Sequence, residues 1–253
     1  MNLEIVTIPC LSDNYAYLVN GPDGVAVIDA PEAEPIIHAL DARGWTPGVI
    51  MLTHHHWDHV QGVDEIKARY GCLVMGPEAE KDKLPPLDYA LPAGMKGGTG
   101  AGEMQVIAVP GHTLGHVAYY YPNAGVIFTA DSLMTMGCGR LFEGTPEMMW
   151  ESLCRLAALP EETMFYSGHE YTATNARFAL SLEPDNPAIK ARADHIAAKR
   201  DRGQSTAQGP LSLELSTNPF LRVHDPSLKA ALGMENASDL AVFTHIRSRR
   251  DEF

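Results

Sequence analysis

The stretch Thr53-His54-His55-His56-Trp57-Asp58-His59 constrains this chain more than any other. It follows the apolar run Val49-Ile50-Met51-Leu52 and precedes residues spaced along one helix face, so it lies where a strand hands over to a helix. Four imidazoles and a carboxylate within six positions have few structural uses. A strand end can aim them at one point, and the chemistry served by that arrangement is metal ligation. These residues supply at most four ligands, so a complete site needs partners from farther along the chain.

Those partners fall at other strand ends. Residues 3–8, 15–19 and 25–28 read as early antiparallel strands separated by turn formers, and Asp29 closes the third. Its carboxylate either orients a ligating histidine or caps the loop. Residues 32–43 carry Ile36, Ile37 and Leu40 on one helix face and stop at Gly44. Val60, Val63, Ile66 and Tyr70 then predict a helix ending at Gly71, followed by a short strand at 73–75. The result is a βαβ unit with its histidines at the carboxyl end of the strand, where open α/β sheets bind ligands. The strand at 105–109 runs into Pro110-Gly111-His112, a hairpin at 117–121 and 126–129 ends in Ala130-Asp131-Ser132, and residues 164–166 lead to Ser167-Gly168-His169.

Together these ends present His54, His56, Asp58, His59, His112, Asp131 and His169. One zinc site takes three or four protein ligands, so this set suits two metals sharing a bridge. A neutral imidazole offers one lone pair to one metal, whereas a carboxylate has two oxygens, so the bridge is Asp131 or Asp58. Imidazole with carboxylate suits zinc, iron or manganese.

The formal net charge of -13 argues against nucleic acid as a partner, because phosphate binding needs clustered Lys and Arg. Cys10, Cys72, Cys138 and Cys154 are scattered and form no C-x-x-C pair, which predicts reduced thiols rather than disulfides or a thiolate zinc site. The N-terminal residues lack a signal-peptide pattern and no run reaches the ~18 apolar residues of a membrane span, so the expectation is a soluble cytoplasmic protein with no membrane partner. Residues 76–103 are rich in Pro, Gly and Lys, but their glycines lead into a strand and not a helix, so they predict a loop and hairpin turn and not a phosphate cradle. After Tyr171 β-prone runs cease, and helices are expected at 174–182, 188–202, 226–232 and 237–245, with 211–215 and 218–223 as further short segments. Lys190, Arg192, Lys199, Arg200 and Arg202 read as a solvated basic face of the second of these. The shift in character places a domain boundary between 1–170 and 171–253.

The pattern T-H-x-H-x-D-H, P-G-H-T, A-D-S and G-H-E-Y resembles the metallo-β-lactamase fold superfamily. Within it, His54 to His59, the segment Gly137-Cys138-Gly139-Arg140-Leu141-Phe142-Glu143-Gly144-Thr145, Gly168-His169-Glu170-Tyr171-Thr172 and Asn218-Pro219-Phe220-Leu221-Arg222 look like the glyoxalase II family, whose members hydrolyse S-acylglutathione thioesters. The resemblance runs to the C-terminal Ile246-Arg247-Ser248-Arg249-Arg250 and covers almost the whole chain. It implies an α+β fold, an αββα sandwich with a small C-terminal helical domain that binds substrate.

It also implies two divalent ions, zinc foremost with iron or manganese as alternatives. His54, His56 and His112 would hold one, Asp58, His59 and His169 the other, and Asp131 would bridge them. Asp58 would orient a metal-bridging hydroxide for attack on the thioester. Arg140, Tyr171, Asn175, Arg247 and Arg250 fall at family positions near glutathione, and guanidinium groups suit a ligand with two carboxylates. His55 should face away from the metals, Trp57 should pack, and His116 should support the site or the core. The chain departs from the family at Phe142, where a tyrosine is usual, and in the loop 84–102. The expected partner is one small glutathione thioester acting on a monomer. A mononuclear iron persulfide dioxygenase of the same fold is the enzymatic alternative, and a non-catalytic metal- or glutathione-binding module is the other.

Overall fold

Strands β1 (Glu4–Cys10), β2 (Asn14–Gly21) and β3 (Gly24–Ile28) run antiparallel, and Gly21 faces Gly24 across the tight turn between the last two. The computed structural model describes residues 3–253. These residues form two compact units, the first running through Ala108 with Leu114–Thr129, the second comprising Val109–Thr113 and Ala130–Phe253.

In the first unit, helix α1 (Ala33–Arg43) carries the chain to β4 (Pro47–Met51), which pairs parallel with β3. Helices α2 (Trp57–Val60) and α3 (Val63–Tyr70) lead to β5 (Leu73–Pro77), and β6 (Tyr89–Leu91) completes a six-stranded sheet in the order β1-β2-β3-β4-β5-β6. The single helix expected after the histidine cluster is therefore two. Gly62 breaks it: its N–H donates to Ala30 O, and a Cβ there would lie 2.8 Å from Ala33 N, so the chain must pass α1 too closely for any side chain.

Strand β2 is buried on both faces, and alternation sends its residues to two destinations. Ala16 and Leu18 join Val27, Ile50, Leu52 and Val74 beneath Ile36 and Leu40 of α1 and Val63 and Ile66 of α3. Tyr17 points the other way, its ring 5.4 Å from Phe128. Phe128 belongs to an antiparallel run of β7 (Lys96–Gly97), β8 (Met104–Ala108), β9 (Val117–Tyr121) and β10 (Val126–Ala130). From β9, Tyr119 donates its hydroxyl to Leu52 O at 2.5 Å, tying this run to the end of β4, where the histidine cluster begins. The loop expected at 76–103 contains two of these short strands, β6 and β7.

The second unit begins with a hairpin of β11 (Leu133–Met134) and β12 (Gly137–Cys138), then α4 (Pro146–Ala157) and β13 (Met164–Ser167). Next come α5 (Thr172–Leu182), α6 (Pro187–Arg200), β14 (Gln208–Pro210), α7 (Leu211–Thr217), α8 (Pro226–Leu232) and α9 (Asp239–Glu252). The sequence sets these helix starts: Thr145, Asn186, Asp225 and Ser238 each accept a hydrogen bond from a backbone N–H of the first turn, and proline follows the first three.

The short segment 218–223 forms a turn, in which Asn218 Oδ1 accepts from Phe220 N and its Nδ2 donates to Met134 O and Gly137 O. One expectation needs correction here. The basic face of α6 is not wholly solvated: Arg192 is buried, bonding to Thr217 and to buried Glu214, and Arg200 pairs with Glu170 at 3.1 Å. All four cysteines are free thiols, as expected; Cys10 is pushed up to about 12 by burial.

Candidate metal centre

In the first unit the cluster is wired to Asp29. The buried Asp29 carboxylate accepts from Thr53 N (2.8 Å), Thr53 Oγ1 (2.8 Å) and His59 Nδ1 (2.8 Å). A hydroxyl has one proton, so Thr53, having given it to Asp29, accepts from His54 Nδ1 at 3.0 Å. Both imidazoles are thereby protonated at Nδ1 and keep the lone pair on Nε2, the tautomer a metal ligand needs. Asp29, His54 and His59 each offer a donor atom within 4.8 Å of one another. The Asp29 backbone sits at φ 55, a left-handed conformation unusual for a residue with a side chain and typical of functional positions. Of the two roles open to Asp29 from sequence, the structure shows it bonded to His59.

His56 lies 4.8 Å ring to ring from His54, and His116 stacks on His54 at 4.6 Å and 17°. Asp58 is oriented by buried Asn14, whose Nδ2 donates to Asp58 O at 2.9 Å and Oδ2 at 3.1 Å. His55 gives its backbone N–H (2.7 Å) and Nδ1 (2.8 Å) to Glu80 Oε2. Trp57 is 66% exposed, so the expectation that it packs fails: as the first residue of a four-residue helix its ring points into solvent.

In the second unit, His112, Asp131 and His169 lie together. Asp131 Oδ2 lies 3.2 Å from His112 Nε2 and 3.2 Å from His169 Nε2. His112 Nδ1 donates to Arg140 O at 2.7 Å, which aims its Nε2 at the carboxylate oxygen. Two imidazole nitrogens and a carboxylate oxygen converging on one point are a donor set that suits a divalent ion. Ala130, immediately before it, is held at φ 40 with its carbonyl accepting from Gly168 N at 2.9 Å, which joins the Asp131 turn to that of His169. At Gly139, just after β12, a Cβ would collide with Asp131 O and crowd His112 Nδ1, so only glycine lets the chain approach.

The residues expected near substrate also lie in the second unit. Tyr171 is 40% exposed and stacks on the His169 ring at 4.8 Å and 6°. Arg250 donates to Asn175 Oδ1 at 3.2 Å, and Asn175 Nδ2 donates to Thr135 O at 3.0 Å. Burial, with help from neighbouring Arg247, lowers the Arg250 pKa. Arg247 is buried, donating to Cys138 O at 3.1 Å and pairing with Asp251 at 2.9 Å. Arg140 is exposed, 3.5 Å from Asp251, with its guanidinium 5.8 Å from the ring of Phe142. Phe142 is 61% exposed and meets His112 edge to face at 5.3 Å. Asn14 and Glu80 escaped the sequence reading; a polar residue beside a turn, or within a charged run, carries no local sign of a distant partner.

This combination of a mixed sheet, a histidine cluster at a strand end and a carboxylate held between two histidines defines a metal-binding α/β protein of the metallo-β-lactamase fold. Residues 11–169 match the family described as metallo-beta-lactamase superfamily, and residues 170–253 match hydroxyacylglutathione hydrolase C-terminus. The chain is 54% identical to a hydroxyacylglutathione hydrolase of Ruegeria pomeroyi and 56% identical to one of Cereibacter sphaeroides, each over 100% of both chains. A protein of the same name from Brucella ovis is 49% identical over 99% of this chain and 98% of its own. Among solved structures, the di-iron-bound form of TTHA1623 is 28% identical, with a TM-score of 0.62 over 86% of this chain and 100% of its own. BLEG-1 B3 metallo-beta-lactamase, at 24% identity and a TM-score of 0.66 over 86% of this chain and 99% of its own, shares the fold. The chain belongs to the hydroxyacylglutathione hydrolase (glyoxalase II) family, thioester hydrolases of the metallo-β-lactamase superfamily.

Proposed function

We propose that this chain hydrolyses S-(2-hydroxyacyl)glutathione thioesters, taking S-D-lactoylglutathione to D-lactate and glutathione. The observation that carries the metal-dependent chemistry is Asp131 Oδ2, 3.2 Å from both His112 Nε2 and His169 Nε2. On the ligand pattern of the family, His54, His56 and His112 would hold one ion, Asp58, His59 and His169 a second, and Asp131 both. Zinc suits this nitrogen and oxygen set, and iron and manganese also do. When bound, the two ions would supply water deprotonated near neutral pH and a Lewis acid for the carbonyl.

The protein's own groups do the rest. Asn14 holds the Asp58 carboxylate through Oδ2, fixing the oxygen that orients the attacking water. Thr53 and Asp29 keep His54 and His59 in the tautomer that leaves Nε2 basic. A carbon–oxygen bond forms at the thioester carbonyl and the carbon–sulfur bond breaks, with thiolate as the better leaving group. Arg140, Tyr171, Asn175, Arg247 and Arg250 are read as the glutathione-binding side, with Arg140 and Tyr171 exposed and Arg250 half-buried, so that each can meet a carboxylate or peptide. Residues 1–170 would then be the catalytic domain and 171–253 the substrate-binding domain.

The enzyme is read as a cytoplasmic monomer without nucleic-acid or membrane partners; among the described residues no helix is long and apolar enough to cross a membrane. Elution as a single 27.5 kDa chain in gel filtration is expected, and a stable dimer would count against it. The decisive variant is Asp131→Ala, which should abolish thioester cleavage and lower metal content together. Normal activity in that variant would remove Asp131 from the centre.

A further inference from the structure

Glu80 lies within the charged run Glu78-Ala79-Glu80-Lys81-Asp82-Lys83, yet it is 2% exposed. It ends the short turn Glu78–Glu80 that follows β5. A buried carboxylate is costly unless hydrogen bonds satisfy it. Here they come from two loops of the first unit: Oε2 accepts from His55 N at 2.7 Å and His55 Nδ1 at 2.8 Å, and Oε1 accepts from Gly115 N at 3.0 Å. The fit at Gly115 is tight, because a Cβ there would run into Glu80 Cγ and come within 2.9 Å of Ala79 Cβ.

What these contacts hold is specific. His55 lies between His54 and His56, so fixing its N–H and its ring fixes the peptide plane from which both neighbours project. Gly115 precedes His116, whose ring stacks on His54 at 4.6 Å. One carboxylate therefore grips the segment bearing two histidines from behind and also grips the loop that backs the first of them. We propose that Glu80 is a positioning residue for the metal centre, setting the direction of His54 and His56 through His55 and the placement of His116 through Gly115. Glu80 has this role only if His54 and His56 are ligands, as read above.

An amide cannot replace the carboxylate. Glu80→Gln has one acceptor oxygen, so its NH2 must face either the His55 N–H or the Gly115 N–H, donor against donor. The test is zinc affinity of metal-free protein by chelator competition, with kcat, KM and thermal midpoint measured on the same samples. Glu80→Gln is expected to weaken zinc by about 10-fold, the low end of the cost of losing a direct outer partner of a ligand because Glu80 acts through His55 and Gly115, and to lower kcat with KM little changed. His55→Ala keeps both backbone donors to Glu80 and should lose much less. Gly115→Ala, which displaces the Glu80 side chain without altering its charge, should reproduce the Glu80→Gln pattern and serves if that variant folds poorly. Asp225→Asn in the second unit, which removes an ion pair with Arg222, is the control: a lower thermal midpoint with unchanged zinc affinity. Wild-type zinc affinity in Glu80→Gln, or a loss shared by Asp225→Asn, would overturn the role of Glu80. Failure of the wild-type protein itself to bind zinc or iron would instead overturn the metal reading.

Discussion

Asp29→Asn changes one atom of a buried side chain and leaves its volume alone, and asparagine tolerates the φ of 55 at this position. The consequence follows from counting protons. The amide oxygen can still accept from Thr53 N, now at 2.8 Å, and the NH2 then faces Thr53 Oγ1 and His59 Nδ1. Thr53 can turn its hydroxyl to accept, but His59 must accept as well, which moves its proton to Nε2. That is the nitrogen a metal would use, so ligation requires the unfavourable tautomer and forfeits a hydrogen bond to a charged group worth about 1.5–3 kcal/mol. At 1.4 kcal/mol per decade this is a 10- to 100-fold loss of affinity for the ion at His59, the range seen when a ligand's outer partner is removed. Chelator competition on metal-free protein reads it directly, and nitrogen-15 shifts of the His59 ring report the tautomer. Wild-type affinity for both ions, with His59 still protonated at Nδ1, would refute the reasoning.

Arg250→Ala should raise KM for the glutathione thioester by about 10-fold, roughly one charge-assisted hydrogen bond, with kcat retained; an unchanged KM in steady-state kinetics would mean that Arg250 does not bind the substrate. Phe142→Tyr restores the phenol usual in the family on a ring that is 61% exposed, so stability should stay within about 0.5 kcal/mol while KM falls; an unchanged KM would mean that glutathione does not pass over this ring. Asp225 supplies a pH signature. Burial opposes its ionisation, but hydrogen bonds from Arg222 and Ser227 outweigh that and hold its carboxyl at about 2, below the 3.8 of a free aspartate. A depressed folded value contributes stability fully present above pH ~4 and lost as pH falls through about 2, on the order of 1 kcal/mol once solvent screening of this partly exposed pair is allowed for. Asp225→Asn should therefore unfold more readily in urea at pH 7, with the difference from wild type closing toward pH 2; a constant difference would assign the effect to packing.

Much of the centre was legible because its residue types are chemically narrow and adjacent in sequence. His54 to His59 announce metal by spacing, and His112, Asp131 and His169 each follow a β-prone run, so strand ends could be collected before their geometry was known. Assigning the proposed bridge to Asp131 needed the resemblance, since carboxylate chemistry alone left Asp58 open. The supporting groups were illegible for a physical reason: Asn14, Glu80 and Arg192 have ordinary local sequence, and what makes them matter is a partner 44, 35 or 22 positions away. The break between α2 and α3 was hidden likewise, because Gly62 is required by contact with Ala33 and Ala30 and not by any turn pattern around it. Trp57 shows the converse error, a large aromatic assigned to packing that the short α2 turns outward.

Free-thiol release from S-D-lactoylglutathione, on a sample whose metal content is quantified, decides whether the protein is a two-metal thioester hydrolase. Stoichiometric glutathione and D-lactate are expected from protein carrying two divalent ions per chain. One iron per chain, oxygen uptake on glutathione persulfide and no thioester cleavage would contradict this expectation.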